Sequence, residues 1–180
     1  MNVIETALPG VLIIEPNVFG DSRGFFLESY QATRYQKLGI DLPFVQDNHS
    51  RSARGVLRGL HFQVTKPQGK LVRVVSGEIL DVVVDIRPGS ETFGRYEAVV
   101  LSAENHRQLY VPPGYAHGFA VISESADFLY KCTDYYDPSD EAGIIWNDPL
   151  VNVAWPFSEP LLSEKDRHWP TLEQYVESLS

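Results

Sequence analysis

The chain has 180 residues, a formal net charge of -9 and a single cysteine. That length fits one domain with a substantial core, expected over 1–180, and the acidic balance argues against nonspecific binding to nucleic acid or an anionic membrane, so an anionic ligand must be met by a local cluster of cations. Cys132 alone cannot close an internal disulfide, MNVIETALPG carries no signal-like basic or apolar region, and no stretch approaches membrane-spanning length, a pattern that predicts a cytoplasmic protein.

From Val11 to Glu15 a short apolar run reads as a strand stopped by Pro16. Phe19 to Glu28, FGDSRGFFLE, sets Arg23 between a turn and an aromatic strand, where a solvated arginine is the default. Tyr30 to Leu38 reads as a short helix closed by Gly39. The stretch Gln46 to Gly77 then places Arg54, Arg58, His61 and Lys70 among short strands with turns at Gly55, Gly59, Pro67 and Gly69. On an alternating strand Gly59, His61 and Gln63 share one face and Leu60 and Phe62 the other, which points an imidazole and an amide into a cavity. The runs LVRVV and ILDVVVDIR, joined through Ser76-Gly77-Glu78, predict a β-hairpin. Tyr96 to Leu101 and Gln108 to Val111 read as strands, and Pro112-Pro113-Gly114 as a turn leading to His117. Ala120 to Thr133, with Tyr130, and then Tyr135 and Tyr136 read as strand and strand end. The C-terminal part offers a turn at SEKD and a helix from Leu172 to Leu179 with Leu172, Tyr175, Val176 and Leu179 on one face. Many short strands, Gly and Pro turns and few helices predict an antiparallel sandwich or barrel.

The spacing Gly55, His61, Gln63, Lys70, Gly77 resembles the first motif of the cupin superfamily, in which His-x-His and a later Glu hold a metal. Here Gln63 replaces the second His and Lys70 stands where a carboxylate would be, and an ammonium cannot bind a divalent cation. A cation left in such a pocket favours a substrate that develops negative charge. The turn followed by His117 resembles the second cupin motif; a hydrogen-bonding role and a core histidine fit that spacing equally. Asp134, Asp137, Asp140 and Glu141 lack the pattern of a calcium loop and read as a solvated turn. Ser163 to Asp166 fits a capping box, which explains Asp166 without catalysis, although Asp166 orienting His61 is the sharper alternative. Tyr130 fits a core position before a catalytic one, Tyr136 is either a surface aromatic or a stacking platform, and Trp146 is explained by packing.

Together the blocks QDNHSRS, GVLRGLHFQ, QGKLVRVVSGEILDVVVDIR, VPPGYAHGF, YKCTDYY, GIIWNDP and LLSEKD resemble the dTDP-4-dehydrorhamnose 3,5-epimerase family over nearly the whole chain. The resemblance implies an all-β, antiparallel jelly-roll (cupin) barrel with short peripheral helices, a homodimer, no metal or organic cofactor, and a dTDP-linked 4-keto-6-deoxy sugar as substrate. It implies His61 as base, Asp166 as its orienting partner, Tyr130 as acid and Lys70 as a substrate contact that steadies negative charge. It also implies Arg23, Glu28, Gln46, Asp47, Asn48, Arg58, His117, Glu141 and Lys165 as substrate contacts, with Tyr136 stacking on thymine.

The chemistry agrees with these assignments. A C4 ketone acidifies the protons at C3 and C5, so one sugar can be inverted at two centres by removal and return of a proton. Inversion needs a base and an acid on opposite faces of the ring. An imidazole, with a reference pKa of about 6.5, suits the base, and a phenol, with one of about 10, the acid. Two phosphates on an acidic chain call for Arg23 and Arg58. The rival readings are an enzyme that inverts one centre or moves the ketone, a non-catalytic sugar-binding cupin, and a metal-dependent dioxygenase. Intact His61, Tyr130 and Lys70 weigh against the binder, and Gln63 with Lys70 against the dioxygenase.

Overall fold

The computed structural model describes residues 1–179. Its strands are β1 (Asn2–Glu5), β2 (Leu12–Glu15), β3 (Val18–Asp21), β4 (Gly24–Leu27), β5 (Gln46–Ala53), β6 (Leu57–Gln63), β7 (Lys70–Ser76), β8 (Glu78–Asp85), β9 (Tyr96–Ser102), β10 (Gln108–Val111), β11 (Tyr115–Val121), β12 (Ser125–Cys132) and β13 (Glu141–Gly143). Helices are short: α1 (Ala32–Gln36), a 3-10 turn (Lys165–Arg167) and α2 (Leu172–Glu177). A six-stranded sheet runs β1-β2-β10-β7-β12-β5, a five-stranded sheet β13-β6-β11-β8-β9, and β3 with β4 makes a separate ribbon. The strand pairs within these sheets are antiparallel, as expected of a jelly roll.

Side-chain alternation sorts the apolar residues into layers. Between the sheets Val72, Val74, Leu109 and Phe128 meet Ile79, Val83, Leu101 and Phe119. On the other face of the five-stranded sheet Leu60, Phe62, Val82 and Val84 pack with Ile144, Val151 and Leu172, so α2 covers the back of that sheet. Ile14, Leu71 and Tyr110 with Tyr35 and Ile40 form a third cluster around α1. Burying each such Leu, Ile or Val contributes roughly 1.5–3 kcal/mol, and that burial holds strands this short in register.

Three expectations change. LVRVV and ILDVVVDIR do not pair as a hairpin: β7 lies between β10 and β12 in one sheet, and β8 between β11 and β9 in the other. Gly77 (φ +77) is the corner where the chain changes sheets, and a Cβ there would sit 2.0 Å from the Ser125 carbonyl oxygen. Local turn chemistry is the same for a hairpin and for such a corner, and only the two-sided apolar demand of β8 separates them. The C-terminal helix ends at Glu177, and Leu179 is exposed rather than on its packed face. The helix expected from Tyr30 to Leu38 narrows to α1, with Gly39 (φ +83) beyond its end as anticipated.

Candidate active site

The jelly roll leaves a cavity of about 650 Å³ between its sheets, lined among others by His61, Gln63, Lys70, His117, Tyr130 and Asp166. The five-stranded sheet supplies one wall. His61 on β6 lies across from His117 on β11 and from Gly143 on β13. The six-stranded sheet supplies the other, where Tyr130 on β12 lies between Asn48 and Val72, and Cys132 lies between Gln46 and Lys70. The imidazole and the phenol therefore enter one space from facing sheets.

His61 is bonded through Nε2 to Asp166 Oδ1. Asp166 is buried, and it also receives hydrogen bonds from Ser163 Oγ (2.8 Å) and Trp169 Nε1 (3.2 Å). Burial alone would push this carboxyl up, but the His61 hydrogen bond and charge, with Ser163 and Trp169, hold it below the usual carboxylate range. The capping contact and the link to His61 coexist: the Asp166 N–H donates to Ser163 Oγ (3.2 Å) while the carboxylate faces the imidazole. Gly143 makes room for this arrangement, since a Cβ there would lie 2.7 Å from the Trp169 ring. With Nε2 committed to Asp166, Nδ1 is the nitrogen left to accept a proton.

Tyr130 is partly buried, and that burial pushes its phenol up from the usual value, so it stays protonated near neutrality. Lys70 brings an ammonium to the same cavity with no ion-pair partner among the described residues. Its burial pulls the ammonium pKa down, against the opposing pull of Cys132, Asp81 and Glu141. Arg58 donates from Nε to Ser52 Oγ (3.0 Å), which fixes the guanidinium at the cavity wall. Glu141 accepts from Lys165 Nζ (2.6 Å) and from Tyr136 Oη (3.0 Å), and its other oxygen lies 4.0 Å from His61 Nδ1.

Of the expected site residues, His61, Tyr130, Asp166, Lys70, Gln46, Asn48, Arg58, His117, Tyr136, Glu141 and Lys165 line this cavity. Three do not. Asp47 points to the outer face of β5, where it accepts from Lys131 Nζ (2.9 Å), because alternation sends it opposite to Gln46 and Asn48. Arg23, with a side chain 88% exposed, pairs with Asp21 at the tip of the β3–β4 ribbon, and Glu28 pairs with Arg34 (3.0 Å) at the ribbon's root. Arg54 is exposed as well.

Two partners escaped the sequence reading. Asp81, fully buried on β8, accepts from His117 Nε2 at 2.8 Å and makes a second histidine–carboxylate pair. A carboxylate inside the apolar run ILDVVVD was the available signal, since a charge in a buried strand needs a partner. Trp169 follows SEKD with nothing local to mark it.

A cupin-type barrel that brings a carboxylate-oriented imidazole, a phenol and an ammonium into one cavity defines an acid–base enzyme of carbonyl chemistry. The family model for dTDP-4-dehydrorhamnose 3,5-epimerase matches residues 5–174. The curated dTDP-4-dehydrorhamnose 3,5-epimerase of Salmonella typhimurium is 58% identical over 177 residues, covering 97% of both chains. That of Pseudomonas aeruginosa is 56% identical over 93% of each. The crystal structure of the Legionella pneumophila dTDP-6-deoxy-D-glucose-3,5-epimerase in complex with dTDP-4-keto-L-rhamnose superposes with a TM-score of 0.96 at 53% identity, covering 99% of this chain and 96% of that one. The chain belongs to the dTDP-4-dehydrorhamnose 3,5-epimerase family.

Proposed function

We propose that the protein epimerises dTDP-4-dehydro-6-deoxy-D-glucose at C3 and C5 to dTDP-4-dehydro-L-rhamnose, a step toward dTDP-L-rhamnose. The observation that carries this reading is the entry of His61 and Tyr130 into one cavity from facing sheets. His61 Nδ1 removes a proton α to the C4 ketone, and the C–H electron pair moves into the enolate. Asp166 holds the tautomer and stabilises the imidazolium formed. Lys70 places positive charge for the enolate oxygen. Tyr130 returns a proton to carbon from the other side, inverting that centre, and exchange with solvent restores both groups before the second centre reacts. In this reading Arg58 takes phosphate oxygens, Tyr136 stacks on the base, and Gln46, Asn48, His117, Glu141 and Lys165, which line the same cavity, contact the substrate around them.

The same reading includes a homodimer. Val18, Phe19, Phe25 and Phe26 on the β3–β4 ribbon are exposed, the last three by 64%, 63% and 69%. A second copy that covers this apolar ribbon would also take up Arg23 and Glu28, which lie off their own chain's cavity. A single working domain over 1–180 and a cytoplasmic location belong to the proposal too. The buried free Cys132 suits a reducing compartment, and among the described residues no helix is long and apolar enough to cross a membrane.

The test is incubation of the protein with the keto sugar nucleotide in deuterium oxide. Label is expected at both C3 and C5 of an inverted product; label at C3 or C5 alone would replace the reading with single-centre inversion, and none would refute enolate chemistry.

A further inference from the structure

Gln63 stands two residues after His61, where the cupin pattern would put a metal ligand, and it is 5% exposed. Its side chain is spent on backbone. Nε2 donates to the carbonyls of Lys66 (2.9 Å) and Tyr135 (3.3 Å), and Oε1 accepts from the Asp137 N–H (2.7 Å). On the facing sheet, Gln46 Oε1 accepts from the Tyr136 N–H (2.9 Å), while its Nε2 donates to Asn48 Oδ1 (3.1 Å). Residues 135, 136 and 137 thus hang between two amides, one from each sheet. This segment belongs to no strand, and Tyr135 and Tyr136 are 67% and 46% exposed, so apolar burial contributes little to holding it.

From this geometry we infer that Gln63 is a positioning residue for the nucleoside end of the site: by bracing the backbone on either side of Tyr136 it sets the affinity for a flat base while its own polar atoms stay on backbone. The inference rests on the nucleotide-sugar reading above. Residue type follows from the bonding pattern. The position needs two donors and one acceptor in a buried place, which an amide supplies and neither a carboxylate nor an imidazole does. A carboxylate would turn acceptors toward two carbonyl oxygens, and methionine would fill the volume while taking the side-chain partner from three backbone groups.

Steady-state kinetics with the keto sugar nucleotide, and calorimetric titration with dTDP, would be measured for Gln63→Met, Tyr136→Ala and the double variant. Gln63→Met should raise KM and the dTDP dissociation constant about tenfold with kcat within about twofold, the size expected when one well-oriented contact is loosened. The double variant should match Tyr136→Ala alone, because Gln63 acts only through that ring. Losses that add, or a kcat that falls at unchanged KM, would overturn the inference. Should Gln63→Met fail to fold, Gln63→Glu keeps the acceptor for Asp137 and loses both donors, and the same comparison is made with it. A wild-type protein that binds dTDP without turnover would refute the enzymatic reading and leave the brace standing, whereas Gln63 variants with unchanged dTDP affinity would remove the brace alone.

Discussion

At the scale of single residues, the proposed mechanism depends on a charged Lys70 ammonium and a protonated Tyr130 phenol within one cavity. Burial drives Lys70 toward its neutral form and Tyr130 away from ionising, shifts that work against the ordinary order in which an ammonium keeps its proton longer than a phenol. In the proposed mechanism the enolate is stabilised by the charged lysine. Its contribution is present below the lowered pKa and lost as pH rises through it. The alkaline limb of kcat against pH should therefore belong to Lys70, and Lys70→Arg, which stays charged, should move that limb upward. A limb that stays in place in Lys70→Arg would assign it elsewhere. In the proposed mechanism Asp166 acts one bond further out, through His61. Asp166→Asn should lower kcat by about two to four orders of magnitude through the wrong imidazole tautomer, measured as initial rate at saturating substrate.

Among the elements, β8 shows how a strand of the core also anchors the site. Its residues alternate between the two sheets' interior and the α2 layer, and its three-valine stretch is enclosed by carboxylates at Asp81 and Asp85, each 0% exposed. Asp81 faces His117. Asp85 closes the strand end, accepting from Arg87 (2.8 Å and 2.7 Å), Ser90 (2.6 Å) and Thr92 (2.5 Å). Burial alone would raise the Asp85 pKa, but these bonds drive it far below the usual range. A depressed native pKa stabilises the fold fully above the unfolded carboxylate value of about 3.9 and progressively less as pH falls toward the native value. Asp85→Asn should cost about 3 kcal/mol near neutrality, and its deficit in urea melts should shrink in strong acid. A deficit independent of pH would mean that shape, not charge, holds this corner.

The same strand marks where sequence reasoning stopped. Alternation at His61 and Gln63 was legible because strand period decides which face a side chain takes, but it breaks at Gly59, where the β6–β11 register shifts and Arg58 comes to line the cavity with His61; α1 was legible from its Gly39 stop and α2 from its apolar spacing. The β7–β8 corner was not, since Gly77 serves a hairpin and a sheet change equally. Asp47 shows a related limit: neighbours of a site residue in sequence are on the opposite face in a strand, so a block that matches a family need not point every residue inward. The outward turn of Asp47 and the inward pairing of Asp81 both follow from the register, which only the assembled sheets define.

On the scale of the whole molecule, the exposed ribbon and the displaced Arg23 and Glu28 make one expectation. Light scattering should give twice the chain mass, and Phe26→Glu should give the single-chain mass together with a fall in kcat/KM as two substrate contacts are lost. A monomeric wild type that is fully active would refute the two-copy site. The barrel's purpose in this account is to set a base on one sheet and an acid on the other, so that a ring held between them meets each on a different face. The measurement that addresses this most directly is proton exchange and stereochemistry together, followed by NMR in deuterium oxide for Tyr130→Phe and His61→Asn. Tyr130→Phe should still exchange protons next to the ketone while forming little inverted sugar, and His61→Asn should lose exchange and inversion alike. Inversion at the wild-type rate in Tyr130→Phe, or undiminished exchange in His61→Asn, would contradict the assignment of acid and base to facing sheets.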